Sequence, residues 1–238
     1  MKLKKVLKIA GVFVLAMGLA VPAFAGAWVG VQGGPSFGTT QDITVTSPFI
    51  NNTILNTKIR TGFTTGLIVG YDFVNQGYGP VWPEWAKYFG VTMDVGYTQM
   101  NFSAQTRTLA TGQVIGFSNA DGGNTALTFM LVGRLPLMIE KDYPAGRFQP
   151  YLGVGPGVVF SSMDFNNYGG STVSSTNVAL VTEAGIRYMV TPNFSASLAY
   201  RYRYMPTSQD VHMPGIGNVN LVGTQNTSQA LFKVAYHF

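Results

Sequence analysis

The chain has 238 residues, with 29 Gly, 12 Tyr, 16 Phe and two His, and 15 Lys and Arg against 10 Asp and Glu. Four of the basic residues (Lys2, Lys4, Lys5 and Lys8) lie in the first ten, so the net charge of +5 falls to +1 over residues 26–238, and the basic surface that nucleic acid would need is missing. There is no Cys, which excludes a disulfide scaffold and a thiolate metal site.

The opening MKLKKVLKIAGVFVLAMGLAVPAFA has a positive start, an apolar stretch from about Ile9 to Val21, and the small residues Ala23 and Ala25 flanking Phe24. It reads as a secretory signal peptide over 1–25, cut after Ala25, with residues 26–238 as a single domain. An apolar stretch of roughly a dozen residues is too short to span a bilayer comfortably, and no later run approaches the roughly 20 residues of a membrane helix.

Beyond the leader, helical periodicity is nearly absent and period-two alternation recurs. It predicts eight strands near 27–37, 58–73, 88–101, 124–137, 148–161, 176–189, 194–205 and 228–238. The second, KIRTGFTTGLIVGYDF, places Ile59, Phe63, Leu67, Val69 and Tyr71 on one face. Lys58, Arg60, Gly62, Thr64, Gly66, Gly70 and Asp72 take the other. A long connection follows, NQGYGPVWPEWAKY (75–88), whose Trp82 and Trp85 would anchor a helical turn at an interface. Pro156 falls within the fifth strand, where it cannot donate to the ladder, and a bulge is expected there. The seventh strand alternates Phe194, Ala196, Leu198, Tyr200, Tyr202 and Tyr204 with Ser195, Ser197, Ala199, Arg201 and Arg203. Segments 38–57, 102–123, 162–175 and 206–227 are polar and turn-forming and read as long loops, whereas Thr191-Pro192-Asn193 is a tight turn.

Charge tests the faces. From the second strand to the eighth the apolar face carries none, and the opposite face carries Lys58, Arg60, Asp72, Asp94, Arg134, Glu183, Arg187, Arg201, Arg203 and Lys233. A soluble sandwich would also alternate. Three features favour a membrane barrel instead: glycines crowd the polar face, aromatics gather near strand ends, and long connections alternate with short ones. The chain ends ALFKVAYHF, with Ala230, Phe232, Val234, Tyr236 and Phe238 on one face. No strand edge can stay unpaired in hydrocarbon, so this strand is expected to close on AWVGVQGG (27–34). The fold class is all-β: an eight-stranded antiparallel up-and-down transmembrane β-barrel with long outer loops.

AWVGVQGG after the leader, QPYLGVGPGV (149–158), TPNFSASLAYRY (191–202) and the aromatic last strand resemble the small eight-stranded outer-membrane β-barrels, the family of the OmpA-type transmembrane domain, OmpX and the opacity proteins. The resemblance spans nearly all of 26–238, with no peptidoglycan-binding domain expected after the barrel. It implies export to the outer membrane of a Gram-negative-type bacterium. It also implies that Phe232, Val234, Tyr236 and Phe238 form the C-terminal signal read by the insertion machinery. The other partners expected are outer-membrane lipid and lipopolysaccharide, and an extracellular ligand reached through the loops; the chain is expected to be monomeric, without nucleic acid, cofactor or metal.

Few residues carry chemistry. His212 lies in TSQDVHMPG with Ser208 and Asp210, the ingredients of a lipid-modifying site, but three such residues in a polar loop commonly occur together by chance. DFNNYG (164–169) lacks the glutamate that closes a calcium loop. The lumen carries more: seven basic and three acidic inward residues, in an interior just wide enough for side chains to fill. A cross-barrel ion network of Arg60, Asp94, Arg134, Glu183, Arg187, Arg201, Arg203 and Lys233 is expected. If the Thr191–Asn193 turn sets Val190 opposite Phe194, Glu183 faces Arg201; Asp94 is expected to find Arg187, Arg134 or Lys233. The functional expectation is a non-catalytic barrel with a structural or adhesin-like role. The alternatives are a narrow anion-preferring channel lined by Arg60, Arg201, Arg203 and Lys233, and, more remotely, the lipid-modifying enzyme.

Overall fold

The computed structural model describes residues 26–238 apart from 39–40, 48–49, 58, 75–81, 103–104, 109–113, 118–119, 144, 166–170 and 214–216. The leader and Lys58 therefore lie outside the described residues. Eight strands form the wall: β1 Ala27–Gly38, β2 Gly62–Asp72, β3 Phe89–Phe102, β4 Ala120–Arg134, β5 Phe148–Phe165, β6 Ser171–Thr191, β7 Phe194–Met213 and β8 Gly217–His237. Each pairs antiparallel with the next, and β8 pairs with β1 from Trp28↔His237 through Val31↔Val234 to Gly38↔Thr227. The last residue is held as well: the Phe238 amide donates to the Ala27 carbonyl at 3.1 Å. Closure pairs these two strands along their length except at Gly34 and Pro35, as hydrocarbon around the wall requires of a barrel edge.

The pleat assigns the faces. Val31, Leu152, Leu180, Leu198 and Phe232 point outward and are at least half exposed, while Asp94, Glu183, Arg201 and Gln229 point inward and are buried. Inward positions are not uniformly polar, however. Ile68, Met100, Met130, Val132, Val181, Met205 and Leu231 are also buried inside, so the lumen is the molecule's packed core.

The segments expected as long loops are largely strand. β5 and β6 stay paired out to Phe165↔Ser171, and β7 and β8 out to Met213↔Gly217. Gln41–Ser47 and Ile50–Thr57 form a hairpin whose first strand docks on β8 from Gly223↔Ile43 to Asn220↔Thr46, and Gln105–Thr108 pairs with Val114–Phe117. Neutral Thr, Val, Ile and Asn leave a ladder intact, and once neighbouring strands are aligned their backbone groups pair on past the membrane. β6 and β8 have 21 residues each, about twice what a tilted strand needs to cross.

At the other end the connection between β6 and β7 is a tight turn, while those after β2 and β4 are longer. The Phe194 amide donates to Thr191 Oγ1 at 3.0 Å, and the pairing partner of Phe194 is Thr191 instead of the expected Val190, with an irregularity between Met189 and Thr191. That extra residue is absorbed before Met189↔Ser195, so Glu183 still faces Arg201. Glu84–Tyr88 forms a 3-10 helix with Ala86 buried, beside the start of β3.

Pro156 makes no register shift. Pairing of β5 with β4 lapses only at Gly155 and Pro156 and resumes in the same register at Gly157↔Thr128, while Pro156 stays opposite Leu180 of β6. β1 repeats the device: its pairing with β8 lapses at Gly34 and Pro35 and resumes unshifted at Ser36↔Gln229. Before each proline the wall closes onto its neighbour. A Cβ on Gly155 would lie 1.9 Å from the Phe129 carbonyl oxygen, and one on Gly34 1.9 Å from that of Ala230. Only glycine fits there.

Candidate functional site

The candidate site is the lumen. Its lowest layer, at the end of the barrel that carries the turn between β6 and β7, centres on Asp72 at the end of β2. Arg134 from β4 and Arg187 from β6 both pair with this carboxylate, Arg187 at 2.9 Å. Trp28 Nε1 donates to Asp72 Oδ1 at 3.2 Å, and the Arg187 guanidinium lies over the Trp28 ring at 4.6 Å. Arg134 also donates to the carbonyls of Lys87 and Phe89, at 3.2 and 3.3 Å, which ties the 3-10 helix to the base of the barrel. Beside this layer, His237 Nε2 and Ser195 Oγ are 2.8 Å apart, and the His237 ring lies 5.9 Å from that of Trp28.

The middle layer is an ion cluster across the barrel. Arg201 from β7 donates Nε to Glu183 Oε2 at 2.8 Å, and Nη1 and Nη2 to the two oxygens of Asp94 at 3.0 and 2.9 Å. Lys233 from β8 meets Glu183 Oε1 at 2.5 Å, and the Tyr151 hydroxyl donates to the same oxygen at 2.9 Å. Gln32 from β1 donates to Asp94 Oδ1 at 3.2 Å. All eight strands thus contribute to the two ionic layers and their direct partners. Above them lies a neutral layer: Gln229 Nε2 donates to Thr64 and Thr98 Oγ1, each at 3.0 Å, and Gln225 joins Asn124 and Met100.

Of the expected network, Asp94, Glu183, Arg201 and Lys233 meet in one layer and Arg134 and Arg187 in the other, joined by Asp72. The expectation for Asp94 is corrected: its partner is Arg201, which reaches across to β3, while Arg134 and Arg187 converge on Asp72 and Lys233 on Glu183. Strand tilt and stagger decide which inward residues share a level, and neither is visible in one strand. Arg203 is buried in the wall next to the cluster, and Arg60 is exposed at the far end. Ser208, Asp210 and His212 lie on paired strand, not in a loop, but their side chains are outside the described set. Tyr151, Gln32, Trp28 and Gln229 join the network without a sequence signal, since neutral residues at inward positions look alike in one dimension. Among the described residues no group of three or more His, Cys, Asp or Glu could hold a metal ion.

The outer wall bears an apolar groove of about 700 Å³ where the β1–β8 ladder lapses, its lining including Gly33, Pro35, Leu198, Ala230 and Phe232. It opens where the barrel's apolar face is exposed.

A family model described as the outer membrane protein beta-barrel domain matches residues 11–238. The chain belongs to that family and resides in the bacterial outer membrane, among its lipids. Among solved structures, it is similar to the outer membrane protein OprG from Pseudomonas aeruginosa, with a TM-score of 0.57 and 14% identity, over 91% of this chain and 99% of that one. Neisserial surface protein A aligns with a TM-score of 0.48 and 18% identity over 90% and 98% of the two chains. The outer membrane protease OmpT from Escherichia coli aligns with a TM-score of 0.46 and 9% identity over 89% and 96%. At these identities the likeness is one of fold. No curated protein matches the sequence.

Proposed function

We propose that this outer-membrane barrel is non-catalytic and acts as a structural or surface-interaction protein, through the strand extensions and connections at its far end. One observation carries the reading: the lumen is filled. Asp94, Glu183, Arg201 and Gln229 are each no more than 2% exposed, and the 3-10 helix is tied to the base by Arg134. A barrel packed in this way has no continuous path for solute, so function moves to the surface. The end that carries the turn between β6 and β7 faces the periplasm and the extended strands the exterior, as in other bacterial barrels. In this reading the leader is removed after Ala25, Phe232, Val234, Tyr236 and Phe238 guide insertion, the mature chain is a monomer in contact with lipopolysaccharide, and an extracellular ligand meets the neutral Asn, Thr and Ser positions of the far end.

The excess of basic over acidic residues facing the lumen favours a second reading, a narrow anion-preferring channel through Arg201, Arg203 and Lys233. Single-channel recording of the refolded chain in a planar bilayer separates the two, with wild type beside Glu183→Gln. No steps in wild type, with steps or noise in the variant, is the outcome expected of a plugged core. Reproducible anion-preferring steps in wild type would replace the structural reading with the channel.

A further inference from the structure

Arg203 differs from the other buried cations of the lumen. It is 3% exposed, on the inward face of β7, between Val181 of β6 and Thr227 of β8 in the ladder. Its Nε and Nη1 have no hydrogen-bond partner, and neither does the buried Thr227 Oγ1 beside it. The carboxylates of the neighbouring layer are already occupied. Asp94 takes Arg201 on both oxygens and Gln32 on one, and Glu183 takes Arg201, Lys233 and Tyr151. Three cations, Arg201, Arg203 and Lys233, therefore share two carboxylates.

A guanidinium cannot shed its proton to escape burial. An unpaired charge in a low-dielectric interior is far more costly than an unpaired dipole. Gln229 Oε1, also buried without a partner, could accept a hydrogen bond, but a neutral amide leaves the charge uncompensated. We infer that the lumen holds a small monovalent anion of halide size at Arg203. The guanidinium Nε–H and Nη1–H and the Thr227 hydroxyl are its donors. One elementary charge of excess calls for a monovalent ion, and the packing around Val181 and Met205 calls for a small one. The site goes beyond the proposed function and does not depend on whether the lumen conducts: in a plug the ion is a resident counter-ion, and in a channel it marks a stop on the path.

The test compares urea unfolding of the refolded chain in chloride and in gluconate at equal ionic strength. A ligand bound only by the folded state raises stability with its concentration. The wild-type midpoint is expected to rise with chloride, and Arg203→Gln to lose that dependence while matching or exceeding wild type in gluconate. A wild-type midpoint indifferent to the anion, or an Arg203→Gln variant as chloride-sensitive as wild type, overturns the site. Should Arg203→Gln fail to insert, wild-type crystals soaked in bromide decide. An anomalous peak within hydrogen-bond reach of the Arg203 guanidinium supports the site; none there, with water completing the donors, overturns it.

Discussion

Arg201 uses its Nε, Nη1 and Nη2 on two carboxylates from different strands, so one guanidinium joins β3, β6 and β7 across the barrel. Such a cluster is sensitive to truncation, because removing one partner leaves the others buried and charged. Glu183→Gln strips both Arg201 and Lys233 of a countercharge. It is expected to lower stability by about 3–5 kcal/mol, read as a reduced urea midpoint by tryptophan fluorescence in vesicles. Arg134 acts differently, since it holds the Lys87 and Phe89 carbonyls as well as Asp72. Arg134→Ala is expected to free the 3-10 helix from the base, so that trypsin cuts after Lys87 in the folded variant and spares the wild type. Equal resistance of the two would show that burial of Ala86 holds the helix without the arginine.

Among the strands, the two Gly-Pro steps set the tightest tolerances. Proline removes a ladder donor on one side only, and the wall answers by closing in at the preceding glycine. Gly155→Ala would drive a Cβ into the Phe129 carbonyl, backbone that cannot move aside. It is expected to cost at least 1–3 kcal/mol, about the range of core overpacking, or to block refolding. Gly96→Ala is the control on a facing position of the same wall: the nearest atom to its Cβ would be 3.5 Å away, so little change is expected, within about 0.5 kcal/mol. Gel mobility of unheated samples, which separates folded from unfolded barrels, reads both. The proline was visible in the sequence but the form of the defect was not. A bulge adds a residue to one strand, whereas here the register is kept and only two ladder positions lapse. The neighbour's backbone makes that choice, and a single strand does not contain it.

For the molecule as a whole, the outside is hydrocarbon and the inside is the core, which inverts the usual placement of charge. Leu198 is 68% exposed, about midway along the lipid-facing part of β7 between Phe194 and Tyr204. Leu198→Arg is expected to reduce stability in vesicles by about 2–4 kcal/mol, measured by folding titration. A loss near zero would place this row outside the hydrocarbon.

Two kinds of information separate at this scale. Which residues face in or out follows from alternation, a property each strand carries alone; hence Phe63, Leu198 and Phe232 outside and Asp94, Glu183 and Lys233 inside were legible residue by residue. Closure was legible too, because hydrocarbon tolerates no free edge and the last strand shares the pattern of the first. Which inward residues meet was not. The partner of Asp94, the convergence on Asp72 and the isolation of Arg203 depend on tilt and stagger accumulated around eight strands, and only the closed barrel sets those levels. Strand length divides in the same way: polar Thr- and Asn-rich segments read alone as loops, and became strand once a neighbour in register offered its backbone to pair with.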